Sequence, residues 1–246
     1  MCTLSWCARP SSGYHLFFNR DELRQRQPAT PPEIIHGESR SFVCARDGRA
    51  GGTWLLTNDG GLTIAILNHY AATASKPVGP PGESRGKLVM ALAECANIAE
   101  FREHMGTLQP DGIYRPFLLF AIERDLGSSL WCWDGERCHE KMPPHPAILT
   151  TSSFRSEEVR QHRQGLRQRL ATNLEASDLG RMHQFHDPAK PAHSIRMRRD
   201  DAMTVALCQL EVSPDQACYR YRAESAEHLN LGLVAEVCLP LIEAGS

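Results

Sequence analysis

Two stretches carry the chemistry: Met1-Cys2 at the start, and Asn19-Arg20-Asp21-Glu22 further on. Cysteine is small enough that a methionine before it is commonly removed, so the mature chain is expected to begin at Cys2. One residue then holds both a thiol and a free α-amine. The sulfur is a nucleophile, and the amine can act first as base and then as acid. Their ordinary pKa values, about 8.5 and about 8, are close enough for proton exchange near neutral pH. A cation beside the sulfur draws it further towards thiolate. A cysteine at position two is by itself an ordinary residue; the four polar residues ending an apolar run give it weight.

The elements around these residues decide whether they meet. Residues 2–8 and 14–19 read as strands, and "RPSSG" as the turn of a hairpin. If they pair antiparallel, the end of the second strand lies beside Cys2, and Arg20 and Asp21 are its nearest charges. Asp21 is expected to orient the α-ammonium, and Arg20 to stabilise a thiolate or a substrate carboxylate. The plainer alternative is an ion pair that closes the hairpin.

"QPATPPE" (27–33) reads as a loop, and 41–45, 52–57 and 62–70 as strands. After the rigid segment 76–84, Ser84 caps a helix through "RGKLVMALAECA", and 97–105 is helical. Strands return at 115–123, 128–134, 137–142 and 147–152. The spacing predicts a helix over 155–174, with Val159, Leu166, Leu170 and Leu174 on one face. Arg160, Arg163 and Arg167 on the other read as a solvated face. Residues 203–211 and 216–222 form a last hairpin, and "LNLGLVAEVCLPLIEAG" reads as a core-packed helix. Helices do not alternate with strands one for one, so the order fits antiparallel sheets covered by helices, an α+β fold in one domain over 1–246.

The 246 residues are 41% hydrophobic and 23% charged, enough apolar material for a sizeable core. A net charge of −2 gives no general attraction to nucleic acid or to anionic membranes. No stretch approaches a membrane span, and the N-terminus lacks a secretory pattern. The nine cysteines form no Cys-x-x-Cys pair and read as free thiols in a reducing cytosol, hence a cytoplasmic protein. His183, His186 and Asp187 have helix-compatible spacing for a metal, but "HDP" reads as a loop, so no metal is expected. Nothing in the chain sets an oligomeric state.

"MC" at the start, "NRDE", "GGTW" (51–54), "ILNHY" (66–70) and "SRG" (84–86), in this order, resemble the NRDE family, whose animal members are called transport and Golgi organisation 2. The resemblance implies an N-terminal nucleophile (Ntn) hydrolase fold, a four-layer αββα sandwich with two mainly antiparallel sheets. It is also similar to the choloylglycine hydrolases and acyl-transferring relatives. Carried over by position, Cys2 matches the nucleophile and Arg20 and Asp21 the strand-end pair. Asn68 matches an amide donor to an oxyanion, and Arg199 a late pocket arginine, with Arg198 as competitor. Asn19, Trp54, His69 and Ser152 are expected to bind substrate. Near "AILTTSS" family members often carry Asn, whereas this chain has Ser152 and Ser153, whose hydroxyls donate with different geometry. The implied activity is thiol amidohydrolysis or acyl transfer on a small amide or acyl substrate, without a cofactor. The family also carries an alternative, a non-catalytic haem or lipid carrier in which Cys2 or a histidine ligates iron.

Overall fold

The computed structural model describes residues 2–9, 12–73, 82–145, 147–171, 175–224 and 231–242. The first hairpin is β1 (Cys2–Ala8) and β2 (Tyr14–Leu23), and it seeds a six-stranded sheet. That sheet adds β10 (Ile148–Thr151) beside β1, and β11 (Ala202–Val212), β12 (Gln216–Glu224) and β13 (Leu231–Pro240) beyond β2. A seven-stranded sheet runs in chain order: β3 (Thr30–His36), β4 (Ser41–Arg46), β5 (Leu55–Asn58), β6 (Thr63–Asn68), β7 (Phe117–Ile122), β8 (Ser128–Trp133) and β9 (Cys138–Lys141). Every pairing is antiparallel.

The helices are α1 (Tyr70–Thr73), α2 (Arg85–Ala91), α3 (Ile98–Thr107), α4 (Ser156–Leu170) and α5 (Ala176–Gln184). Contacts put α4 and α5 on the first sheet and α2 and α3 on the second, which makes the four layers α, β, β, α. Alternation along β1 and β2 sorts the faces. Leu4, Tyr14, Leu16 and Phe18 join the core between the sheets, where Trp6 lies 4.3 Å from Phe120 between ring centroids. Cys7 and Phe17 point the other way, into the cluster with Leu166, Leu179 and Met182 under α4 and α5.

Four sequence expectations change. The 27–33 loop is half strand: β3 begins at Thr30 and carries two prolines because it is an edge strand, with a register shift between Thr30 and Glu33. The tail is β13, not a helix. Its alternating residues Ala235, Val237 and Leu239 turn inward, while Glu236 and Cys238 are exposed, and a bulge at Val234 in β13 shifts the register. The cysteines are not all free: Cys218 and Cys238 face each other across β12 and β13, with Cα atoms 4.0 Å apart, and form a disulfide. Spacing could not foretell this, since the pair is created by strand register. On α4, Arg163 and Arg167 are buried, at 0% and 2% exposure, rather than solvated. They lie over the polar underside of β1 and β2, where Thr3, Ser5, Asn19 and Asp21 need partners.

Candidate active site

Strand β2 does not stop before its charges; it carries them. Cys2 is the register partner of Arg20 across the β1–β2 ladder and of Thr151 across β1–β10. Because side chains alternate, Arg20 and Glu22 share the face of Phe18, while Asn19 and Asp21 face the helices. Cys2 thus sits at the end of the central hairpin, on the inter-sheet face, half-buried.

Around it opens a cavity of about 330 Å³, within the size range of small-molecule sites. Cys2, Arg20, Asp21, Trp54 and Asn68 all line it, although they come from four separate segments. Arg20 spans from the cavity to the "RDG" turn, donating to Asp47, and its guanidinium lies 4.3 Å from the centre of the Trp54 ring. Arg26 reaches the same carboxylate twice, at 2.9 and 2.8 Å. Burial pushes the Asp47 carboxyl up, but the bonds from Arg26 and the Ala50 N–H and the charge of Arg20 outweigh it, so it is held low. Glu22 lies 3.7 Å from Arg20 and 3.4 Å from Arg26.

Asp21 is fixed from behind. The Thr204 hydroxyl donates to it at 2.6 Å, and the Arg163 guanidinium lies 3.4 Å away. Arg163 also donates to Thr3 at 2.7 Å and Thr150 at 3.1 Å. Burial pushes the Cys2 thiol up, and the Asp21 carboxylate adds to this; the positive charge of the amino terminus, the Asp21 main-chain N–H and Arg20 pull down but do not win. The expected drift of the thiol towards thiolate is therefore reversed. Arg20 is already spent on Asp47, and burial is the larger effect.

Asn68 ends β6 and donates one amide hydrogen to the Tyr70 hydroxyl at 2.6 Å. The "GGTW" and "SRG" segments meet backbone to backbone. Thr53 N–H bonds Gly86 O at 3.2 Å, and a Cβ on Gly52 would lie 2.5 Å from Gly86 carbonyl carbon. Both glycines are needed for that approach, which brings Trp54 and Arg85 to one cavity.

Four expected residues stand off the cavity wall. Asn19 is buried on the helix side, donating to the carbonyls of His183 and Ile195 at 2.9 Å each. His69 accepts the Ala72 N–H at 3.0 Å, and burial lowers its pKa. Ser152 follows Thr151 at the end of β10 and closes a turn on Phe154, accepting its N–H at 3.0 Å. Arg199 binds Asp201 at 2.7 Å and lies over the Phe154 ring at 5.5 Å; neither it nor Arg198 lines the cavity. The ring nitrogens of His183 are both engaged, with Ser5 Oγ at 2.7 Å and Asn19 Oδ1 at 2.9 Å, so the His-x-x-His spacing serves packing. Asp47, Arg26, Arg85, Arg115 and Thr204 have no role in the sequence reading, and Arg163 figures there only as a solvated residue. Only Arg85, inside "SRG", had a local signal.

The family described as Transport and Golgi organisation 2 matches residues 1–223. No curated protein matches. Among solved structures, penicillin V acylase from Agrobacterium tumefaciens is similar at a TM-score of 0.55 and 13% identity, over 94% of this chain and 84% of that one. The C2A mutant of conjugated bile acid hydrolase from Clostridium perfringens gives 0.56 and 12%, over 99% and 97%. An N-acylethanolamine-hydrolyzing acid amidase ortholog from Caenorhabditis elegans gives 0.57 and 9%, over 85% and 92%. At these identities the likeness is one of fold, the Ntn-hydrolase fold.

Proposed function

The chain belongs to the Transport and Golgi organisation 2 family, and from that premise we propose that it is an N-terminal-cysteine amidohydrolase or acyl transferase for a small amide or acyl substrate. One observation carries the reading: Cys2, set opposite Arg20 by the strand register, lines one cavity together with Asp21 from its own sheet and Asn68 from the other.

The mechanism begins with loss of Met1. Burial disfavours a thiolate at this position, so the thiol's proton must leave as sulfur attacks. The α-amine of Cys2 takes that proton while sulfur bonds to the substrate carbonyl carbon. The negative oxygen of the tetrahedral intermediate accepts a hydrogen bond from Asn68, whose other amide hydrogen is held on Tyr70. The α-ammonium then gives its proton to the leaving amine, the C–N bond breaks, and a thioester remains. Water, deprotonated by the same amine, cleaves the thioester and restores the thiol; an amine acceptor in its place completes a transfer. Asp21, anchored by Thr204 and Arg163, positions the ammonium.

The carrier alternative finds one soft donor on this wall, Cys2, and no histidine among the described residues that line it. The deciding experiment is hydrolysis of a panel of small amides and thioesters by purified protein whose intact mass shows loss of one methionine. Turnover should vanish in Cys2→Ala. Retained turnover there refutes the nucleophile, and full activity with Met1 in place refutes the α-amine as its base. No turnover with any substrate, together with saturable haem binding, favours the carrier.

A further inference from the structure

The cavity around Cys2 is lined by four arginines, Arg20, Arg26, Arg85 and Arg115, and by four carboxylates, Asp21, Glu22, Asp47 and Glu83. Most of this charge is already matched. Arg20 and Arg26 share Asp47 and Glu22. Asp21 is paired with Arg163 from behind the sheet, and Glu83 with Lys87 at 3.0 Å. Two cations remain. Among the described residues neither Arg85 nor Arg115 has a carboxylate partner.

Arg85 is half-buried and donates through Nη1 to the Pro116 carbonyl at 3.0 Å. That bond leaves its Nε–Nη2 edge, the edge that grips a carboxylate with two parallel hydrogen bonds. Arg115 is exposed beside Pro116 and close enough to disfavour the charge on Arg85, after burial and against the pull of Tyr70. Two like charges drawn together on one wall, one of them partly desolvated, are stabilised when an anion lies between them.

We propose that Arg85 and Arg115 form a carboxylate-binding subsite, so that the substrate is an amide bearing a free carboxylate. This rests on the reading of the Cys2 cavity as the substrate site. Arg85 supplies the bidentate edge from the cavity wall, and Arg115 closes over the anion from the mouth. The selectivity is set by charge, and an uncharged amide of the same length loses both contacts.

The test measures calorimetric binding to Cys2→Ala protein, which holds ligand without turning it over. The probes are N-hexanoylglycine, adipic acid monoamide and the neutral N-hexanoylglycinamide. At least one acid should bind about 10-fold or more tightly than the neutral amide. Arg85→Gln and Arg115→Gln should each erase most of that preference, and Arg115→Lys should keep part of it. Arg115 is exposed, so its variants fold even if Arg85→Gln does not. Equal binding of acids and neutral amide, binding of none of them, or a preference unchanged in the Arg115→Gln protein overturns the subsite. Failure of the nucleophile reading looks different: acid-selective binding persists in Cys2→Ala, yet protein with Cys2 hydrolyses nothing.

Discussion

Asp21 and Arg163 form an ion pair in which both side chains are wholly excluded from solvent, with oxygen and nitrogen 3.4 Å apart. The pair links the strand that carries the site to the helix behind it. A buried pair costs desolvation on both sides, and removing one partner strands the other charge.

Asp21→Asn is therefore expected to destabilise the fold by about 3–5 kcal/mol, and Arg163→Met by a similar amount. The double variant should recover much of the loss, because neither charge is then left alone. Urea unfolding of the four proteins closes the cycle. Additive losses would show that the two residues do not act as a pair. In Asp21→Asn protein that still folds, Cys2 alkylation should differ from the native rate, since the carboxylate contributes to the state of the thiol.

His183 sets an acid limit on stability. Asn19 spends its Nδ2 on two carbonyls, so its Oδ1 faces the ring and His183 Nδ1 bears the proton, leaving Nε2 to accept the Ser5 hydroxyl. Burial, aided by Arg163 and Arg167, lowers the ring pKa to about 3. The unfolded chain binds this proton near pH 6.5, long before the folded one does. Stability is thus complete above about pH 6.5 and falls as pH drops towards 3, by up to about 1.4 kcal/mol per unit. His183→Gln should show a lower plateau and a shallower acid slope in unfolding free energy from pH 7 to 4. An identical slope would remove His183 from the explanation.

Cys2 should react slowly at neutral pH with a small neutral alkylating agent, and its rate should go on rising beyond about pH 8.5, the ordinary thiol value. Peptide mapping distinguishes it from Cys138, the other free cysteine that is not fully buried. A rate already at its plateau by pH 7 would mean a resting thiolate and would undo the need for a base.

Gly86→Ala tests the contact between the two glycine motifs. Its Cβ would fall 2.8 Å from Thr53 O and 2.9 Å from Thr53 N, both main-chain atoms that have no room to yield. An overpacking cost of about 1–3 kcal/mol is expected. Loss of ligand binding should exceed what that destabilisation explains, because Trp54 and Arg85 both move. Gly106→Ala on α3, where a Cβ meets nothing within 4 Å, is the control and should stabilise slightly or be neutral.

Local pattern made much of the protein legible. Alternation in "CTLSWCA" and "YHLFFNRDEL" fixes the hairpin, and a hairpin fixes that Cys2 lies beside Arg20. The motif residues foretold the fold, and five of the site residues read from them, Cys2, Arg20, Asp21, Trp54 and Asn68, line one cavity. What escaped depends on partners distant in sequence. Arg163 looks like any polar helix residue until α4 is laid over Thr3, Thr150 and Asp21. The Cys218–Cys238 bond exists because β12 and β13 pair in one register, and β13 is a strand because β12 offers it an edge. Asp47 is a turn residue whose weight comes from two arginines on another sheet's strand and the loop after it. Hydrophobic period and turn chemistry are properties of neighbours along the chain, so sequence determined the elements and the first hairpin. Which charge is buried against which is a property of packing, and only the folded layers decided it.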